Sequence, residues 1–87
     1  MQRKDQFRLH LLRIDPSRNM ARFYELALED GLFGEVLITR RWGRLGTHGR
    51  SKTQFANSEI EGLEILLALL RAKRCRGYRP AGVGQAA

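Results

Sequence analysis

The residues of this chain that could do chemistry are concentrated in one short segment. Within thirteen residues it carries His48 and five cationic side chains, with no aspartate or glutamate among them: Arg40, Arg41, Arg44, Arg50 and Lys52. Exposed surfaces ordinarily mix both signs of charge, so an uncompensated cluster predicts a site for an anion. Arginine suits phosphate in particular, because its planar guanidinium donates two parallel hydrogen bonds.

A tryptophan lies inside this basic segment. Trp42 could stack on a base or a sugar while the neighbouring guanidinium groups hold phosphates. It could also pack in the core, where a lone tryptophan is most often found. With either role for Trp42, the basic segment predicts a surface that binds nucleic acid.

Catalysis and metal binding are not expected. The two histidines, His10 and His48, are far apart in sequence, and no Ser/His/Asp or paired-carboxylate arrangement is evident. Cys75 is the single cysteine, so neither an internal disulfide nor a zinc site is predicted. The sequence therefore indicates a non-enzymatic protein that needs no cofactor.

Length and charge restrict the interpretation further. The 87 residues are enough for one core, and 43% of them are hydrophobic, which is typical of a folded domain. Sixteen lysines and arginines against nine acids give a net charge of +7, which attracts polyanions.

No apolar run has the length of a signal peptide or a membrane span, so we expect a cytoplasmic protein that does not bind membranes.

The elements that must position the basic segment form an antiparallel sheet. Residues 6–14 alternate apolar with polar, and a turn follows at 15–19. Residues 21–28 suit a strand or a helix, and the flanking turn residues favour a strand. Further strands are predicted at 35–42 and 50–55, on either side of a loop containing Gly43, Gly46 and Gly49.

A helix follows the fourth strand. Ser58 and Glu61 match a capping box, and Gly77 ends the helix. The spacing predicts that the face covering the sheet consists of Ile60, Leu63, Leu66, Leu67 and Leu70. Ile65 and Leu69 fall outside this stripe, and they suggest a second apolar surface that could form a homodimer.

Residues 78–80 could add an edge strand. We expect an α+β fold of four to five strands and one helix, with 1–5 as an N-terminal extension, 6–80 as the domain and 81–87 as a flexible tail.

The segment Arg41-Trp42-Gly43-Arg44-Leu45-Gly46-Thr47, with Gly49-Arg50 after it, closely resembles the signature of the WGR domain. The similarity extends from about residue 7 to residue 79. It includes Asn19, the run Arg22-Phe23-Tyr24-Glu25-Leu26, Phe55, Lys73 and Gly77-Tyr78. The combined spacing is far more specific than the tripeptide alone.

The resemblance implies a compact antiparallel sheet with one helix against a face, in agreement with the element pattern. WGR domains are known from poly(ADP-ribose) polymerases, where they bind DNA near strand breaks, and from bacterial proteins. By this resemblance Trp42 would pack on a terminal nucleotide and Arg44 would contact backbone phosphate. Further contacts carried over in the same way are Asn19, Arg22, Tyr24 and Lys73.

Two functions of different classes therefore remain open. The first is a module that binds nucleic acid, DNA in preference to RNA. The second is a protein-interaction adaptor or self-associating domain that uses the helix or an open sheet edge. Transferase activity does not follow from the resemblance, because 87 residues leave no room for that catalytic fold.

Overall fold

The computed structural model describes residues 4–81, with side chains from residue 7 onward. The strands are β1 (Lys4–Asp15), β2 (Met20–Asp30), β3 (Val36–Arg44), β4 (Arg50–Ala56) and β5 (Arg79–Pro80), and the helix α1 spans Glu59–Cys75. One antiparallel sheet has the order β4-β3-β2-β1-β5, with α1 packed on one face. The expected α+β fold is confirmed. Residues 1–3 of the proposed extension and 82–87 of the proposed tail lie outside the described residues.

Strand β2 is the centre of the sheet, pairing with β1 on one side and β3 on the other. Its apolar side chains alternate between faces, and Phe23, Tyr24, Leu26, Ala27 and Leu28 are all buried. Side chains on both faces of β2 are therefore buried, which explains why its sequence is ambiguous between strand and helix. The turn before it is a 3-10 helix at Pro16–Arg18, closed by Asn19 at a φ of 52°.

The register assigns each side chain to a face, because directly paired residues in an antiparallel sheet point the same way. On the side covered by α1, Tyr24 pairs with Trp42, and Trp42 pairs with Arg50. Leu26, Arg40 and Lys52 form the next row on the same side. On the opposite side, which we call the open face, Glu25 pairs with Arg41 and Phe23 with Gly43.

The start of α1 is capped as predicted. The Ser58 hydroxyl accepts a hydrogen bond from the Glu61 amide, and the Glu61 carboxylate accepts one from the amide of Asn57. These contacts satisfy two amides at the helix start that have no intrahelical partner. The Glu61 bond goes to the residue before the N-cap, one position earlier than in the standard capping box.

The prediction of which α1 residues face the sheet is wrong for most of them. Leu66 is fully buried, but Ile60, Leu63 and Leu67 are exposed. Gly62 faces the sheet instead, where a Cβ atom would lie 2.9 Å from both Leu28 Cδ1 and Val36 Cγ1. The missing side chain lets α1 approach the sheet at this point, and this contact sets the rotation of the helix.

The core lies between α1 and the covered face. Its buried members include Leu11, Tyr24, Leu26, Leu28, Val36, Ile38, Ala56, Leu66 and Tyr78. Ile65 and Leu69 pack against this core, so the reason for assigning them to a separate apolar surface is removed. Among the described residues, no helix is long and apolar enough to span a membrane.

Candidate nucleic-acid interface

A groove of about 370 Å³ opens between the covered face of the sheet and the C-terminal half of α1. Aromatic and cationic side chains line it together: Tyr24, Arg40 and Trp42 from the sheet, and Leu69, Ala72, Lys73 and Arg76 from the helix segment. The strands bring Tyr24 and Trp42 side by side, with ring centroids 6.5 Å apart. We call this site the Trp42 groove.

Trp42 contributes to both the core and the groove. It is half-buried and packs against the hydrophobic core, while the Arg40 guanidinium lies 5.8 Å from the centroid of its ring. The two roles considered for this residue are therefore compatible, since one part of the indole packs inward and the rest remains accessible.

Lys73 places a positive charge above two aromatic rings. Its Nζ lies 4.7 Å from the ring centroid of Tyr24 and 5.4 Å from that of Tyr78. Partial burial lowers the pKa of Lys73, and repulsion from Arg76, Arg40 and Arg22 lowers it further. The groove therefore has an excess of positive charge that a bound anion would relieve.

Two buried polar atoms among the groove residues have no hydrogen-bond partner within residues 7–81. They are the hydroxyl of Tyr24 and the Nε of Arg40. An unsatisfied buried donor costs about 1–3 kcal/mol, so folded proteins rarely retain one without a reason. Both atoms are shielded from solvent, so an acceptor-rich ligand such as a phosphate or a nucleobase would satisfy them once the side chains of the groove open around it.

More cationic residues lie near the groove at the end of the sheet where β3 turns into β4. Arg44 pairs with Arg22 across β3 and β2, and its Nη1 donates to the Asn19 carbonyl at 3.4 Å. Arg50 and Lys52 follow on the exposed edge strand β4. We call Arg22, Arg44, Arg50 and Lys52 the basic rim, and all four are exposed on the covered side of the sheet.

Close backbone packing holds the loop between β3 and β4. Gly49 has a φ of 77°, and a Cβ atom there would clash with the carbonyl oxygen of Trp42. Only glycine fits such a position without displacing the backbone. The loop is therefore held against the strand that carries Trp42, and this positions the basic rim.

Arg41 is the sequence-predicted residue that the structure does not bring to this site. It lies on the open face, where its Nε donates to Glu25 Oε1 at 3.1 Å. Its guanidinium lies 4.5 Å from the ring centroid of Phe23 and also donates to the carbonyl of His48. The acidic partner comes from the neighbouring strand β2, which the sequence segment alone did not reveal.

Glu25 links two basic groups on the open face. Its second oxygen, Oε2, lies 2.9 Å from His10 Nδ1. Burial raises the pKa of Glu25, but the hydrogen bond and charge of Arg41 and the contact with His10 outweigh this and lower it overall. This network stabilises the sheet and uses two of the five N–H donors of Arg41, at Nε and Nη1.

The structure also adds a residue that the sequence did not assign to the site. Arg76 lines the Trp42 groove. Its position three residues after Lys73 was the available signal, because such residues share a helix face.

The geometry defines an α+β protein with an aromatic, cationic groove beside its single helix. The family model of the WGR domain matches residues 7–85, nearly the whole chain, and the chain therefore belongs to the WGR domain family.

One relative is the uncharacterized protein y4dW of Sinorhizobium fredii, which is 47% identical over 74 residues. The match covers 85% of this chain and 36% of y4dW, so the chain spans about a third of that relative's length. No solved structure matches the chain.

Proposed function

We propose that this chain is a non-catalytic module that binds nucleic acid, DNA in preference to RNA, through the Trp42 groove and the basic rim. The observation that carries the proposal is the pair of unpartnered buried donors, Tyr24 Oη and Arg40 Nε, among groove residues with excess positive charge. Membership of the WGR family supports it.

In this proposal the groove and the rim have different roles. The groove binds one nucleotide. The ring of Trp42 stacks on this nucleotide, and the positive charge of Lys73 contacts the adjacent phosphate. The rim contacts further phosphates along the backbone through Arg22, Arg44, Arg50 and Lys52. Asn19 positions Arg44 through its backbone carbonyl.

Fluorescence anisotropy with blunt, nicked, overhanging and single-stranded oligonucleotides, alongside matched RNA, tests the proposal. If four to six phosphates are neutralised, the logarithm of the binding constant on duplex DNA should fall with log salt at a slope of about −4 to −5. A slope near zero, or no binding to any of these ligands, would refute it.

Two variants separate the rim from the groove. Arg44→Ala should weaken binding by about 1–3 kcal/mol with little loss of stability, because the exposed guanidinium makes only one long contact at 3.4 Å within the described chain. Trp42→Ala should cost more affinity on linear or nicked DNA than on closed circular duplex, since stacking on a terminal nucleotide requires a strand end. Equal losses on both forms would leave backbone binding without end recognition.

A further inference from the structure

The flank of α1 that faces away from the Trp42 groove carries an apolar stripe that the sheet leaves uncovered. Ile60 is 71% exposed, Leu67 46% and Leu63 38%. The half-buried Leu70 continues the row at its edge, where part of the side chain also packs against the core. Their spacing of three, four and three residues is that of a two-helix seam. Such a row is unusual for a helix in contact with water, where polar residues are expected.

The core contact through Gly62 explains why this stripe remains outside. With 3.6 residues per turn, the stripe lies about 100° around the helix axis from the line through Gly62 and Leu66. Leu69, Ala72 and Arg76, which line the groove, are displaced in the other direction, and Lys73 lies on the line itself. The two surfaces are therefore on opposite flanks of α1, and a partner on one leaves the other accessible.

Charge along α1 indicates what covers the stripe. The acids lie in the first half (Glu59, Glu61, Glu64) and the bases in the second half (Arg71, Lys73, Arg74), so the helix has no net charge in a chain of +7. A second copy of α1 running antiparallel would place acids against bases at both ends. A parallel copy would place like charges together, and this orientation is disfavoured.

The register of such a pair follows from the heptad spacing. Ile60 would meet Leu70 of the partner subunit, and Leu63 would meet Leu67 of the partner subunit, giving four apolar layers by symmetry. Beside these layers Glu64 would face Arg71 of the partner subunit, twice per dimer. Within residues 7–81 of one chain, neither Glu64 nor Arg71 forms an ion pair.

We propose that two copies of this chain form a symmetric dimer by antiparallel packing of α1 through Ile60, Leu63, Leu67 and Leu70. The surface differs from the sequence-based expectation, which rested on Ile65 and Leu69. It is also independent of the Trp42 groove, so each subunit of the dimer retains its own groove.

Sedimentation equilibrium of the full chain tests this directly. The average mass should rise from monomer toward dimer as the concentration increases to about 0.1 mM. Leu67→Glu should raise the dissociation constant by more than about tenfold, because each dimer would bury two unpaired carboxylates. Ala68→Glu is the matched control: it adds the same charge at an exposed position of α1 outside the stripe, and the dimer should persist.

Charge reversal tests the antiparallel arrangement. Glu64→Arg and Arg71→Glu should each weaken the dimer, and the double variant should restore it, because the opposite charges again face each other across the seam. Equal mixtures of the two single variants should associate more strongly than either alone. Each variant should remain folded, since all four substituted positions of α1 are exposed in one chain, and circular dichroism checks this.

A monomeric mass for the native chain throughout this range would overturn the proposal. So would equal weakening by Leu67→Glu and Ala68→Glu, or a double variant that stays monomeric while folded. DNA binding by a single subunit should be unchanged in Leu67→Glu, so the outcome of this experiment does not depend on the proposed nucleic-acid function.

Discussion

Arg40 and Arg41 are adjacent in the chain, but their side chains lie on opposite faces of the sheet. The Arg40 guanidinium lies over Trp42 in the groove, and the Arg41 guanidinium lies over Phe23 on the open face. Strand geometry requires this separation, since successive side chains point to opposite sides. The pair therefore provides two variants with the same change in charge and different expected effects.

Arg40→Ala should weaken DNA binding by about 1–3 kcal/mol and change stability by less than about 1 kcal/mol, since its Nε has no partner in the described chain. Arg41→Ala should lower stability by about 1–2 kcal/mol, because it removes the bond to Glu25 and the contact with Phe23. Its effect on binding should be limited to the loss of one net charge. Anisotropy titrations and urea unfolding measure both quantities. Equal losses of affinity would argue against the groove as the binding site.

The Tyr24 hydroxyl provides a test that leaves the core intact. Tyr24→Phe removes a buried hydroxyl that has no partner within residues 7–81, so the free energy of unfolding should stay the same or rise. If the hydroxyl donates to a ligand in the groove, affinity for DNA should fall by about 1–2 kcal/mol. Unchanged affinity in a folded variant would show that the ligand does not reach Tyr24.

The affinity for DNA should decrease at alkaline pH, where Lys73 loses its positive charge. Burial and the neighbouring arginines lower the pKa of the free protein's Lys73 below the ordinary 10.5, and a bound phosphate would raise it again. Affinity should then be full below the lowered pKa and decrease as the pH rises through it. The guanidinium of Lys73→Arg stays charged, so this variant should lose the dependence. The same pH profile in both proteins would contradict the prediction.

Glu25 should contribute to acid sensitivity. Its pKa in the folded protein lies below the ordinary 4.5 of a glutamate, so its stabilising contribution is present above that pH and is lost as the pH falls through the lowered pKa. Thermal unfolding of Glu25→Gln should show a lower melting temperature than the native chain at neutral pH. The difference should shrink below about pH 4.5. A difference that stays constant down to about pH 3 would mean that the charge of Glu25 is not responsible.

Much of the fold could be predicted because its signals are local. Alternation in β1, turn residues at 15–19 and the Ser58 cap each depend on a few neighbouring residues, and all three appear in the structure. The ambiguous segment at 21–28 was also resolved correctly as a strand, from the turns on either side. Strand ends differ by one or two residues, which is the ordinary uncertainty of element boundaries.

The candidate site could be predicted only in part. The sequence located the basic segment and Trp42, because they are contiguous in the chain. It grouped Arg41 with them because charge was counted along the chain without regard to the two faces of a strand. Arg76 was missed although it lies three residues after Lys73, because the segment 40–52 does not indicate which part of α1 packs beside it.

The sequence by itself determined the α+β class, the family pattern and the position of the cationic segment, because alternation, capping and composition are encoded by neighbouring residues. Only the tertiary structure decided which flank of α1 meets the sheet. That choice depends on the contact of Gly62 with Leu28 and Val36, residues distant in sequence whose side chains would clash with a Cβ atom. The same contact brings Lys73 over Tyr24 to form the groove and leaves Ile60, Leu63 and Leu67 outside.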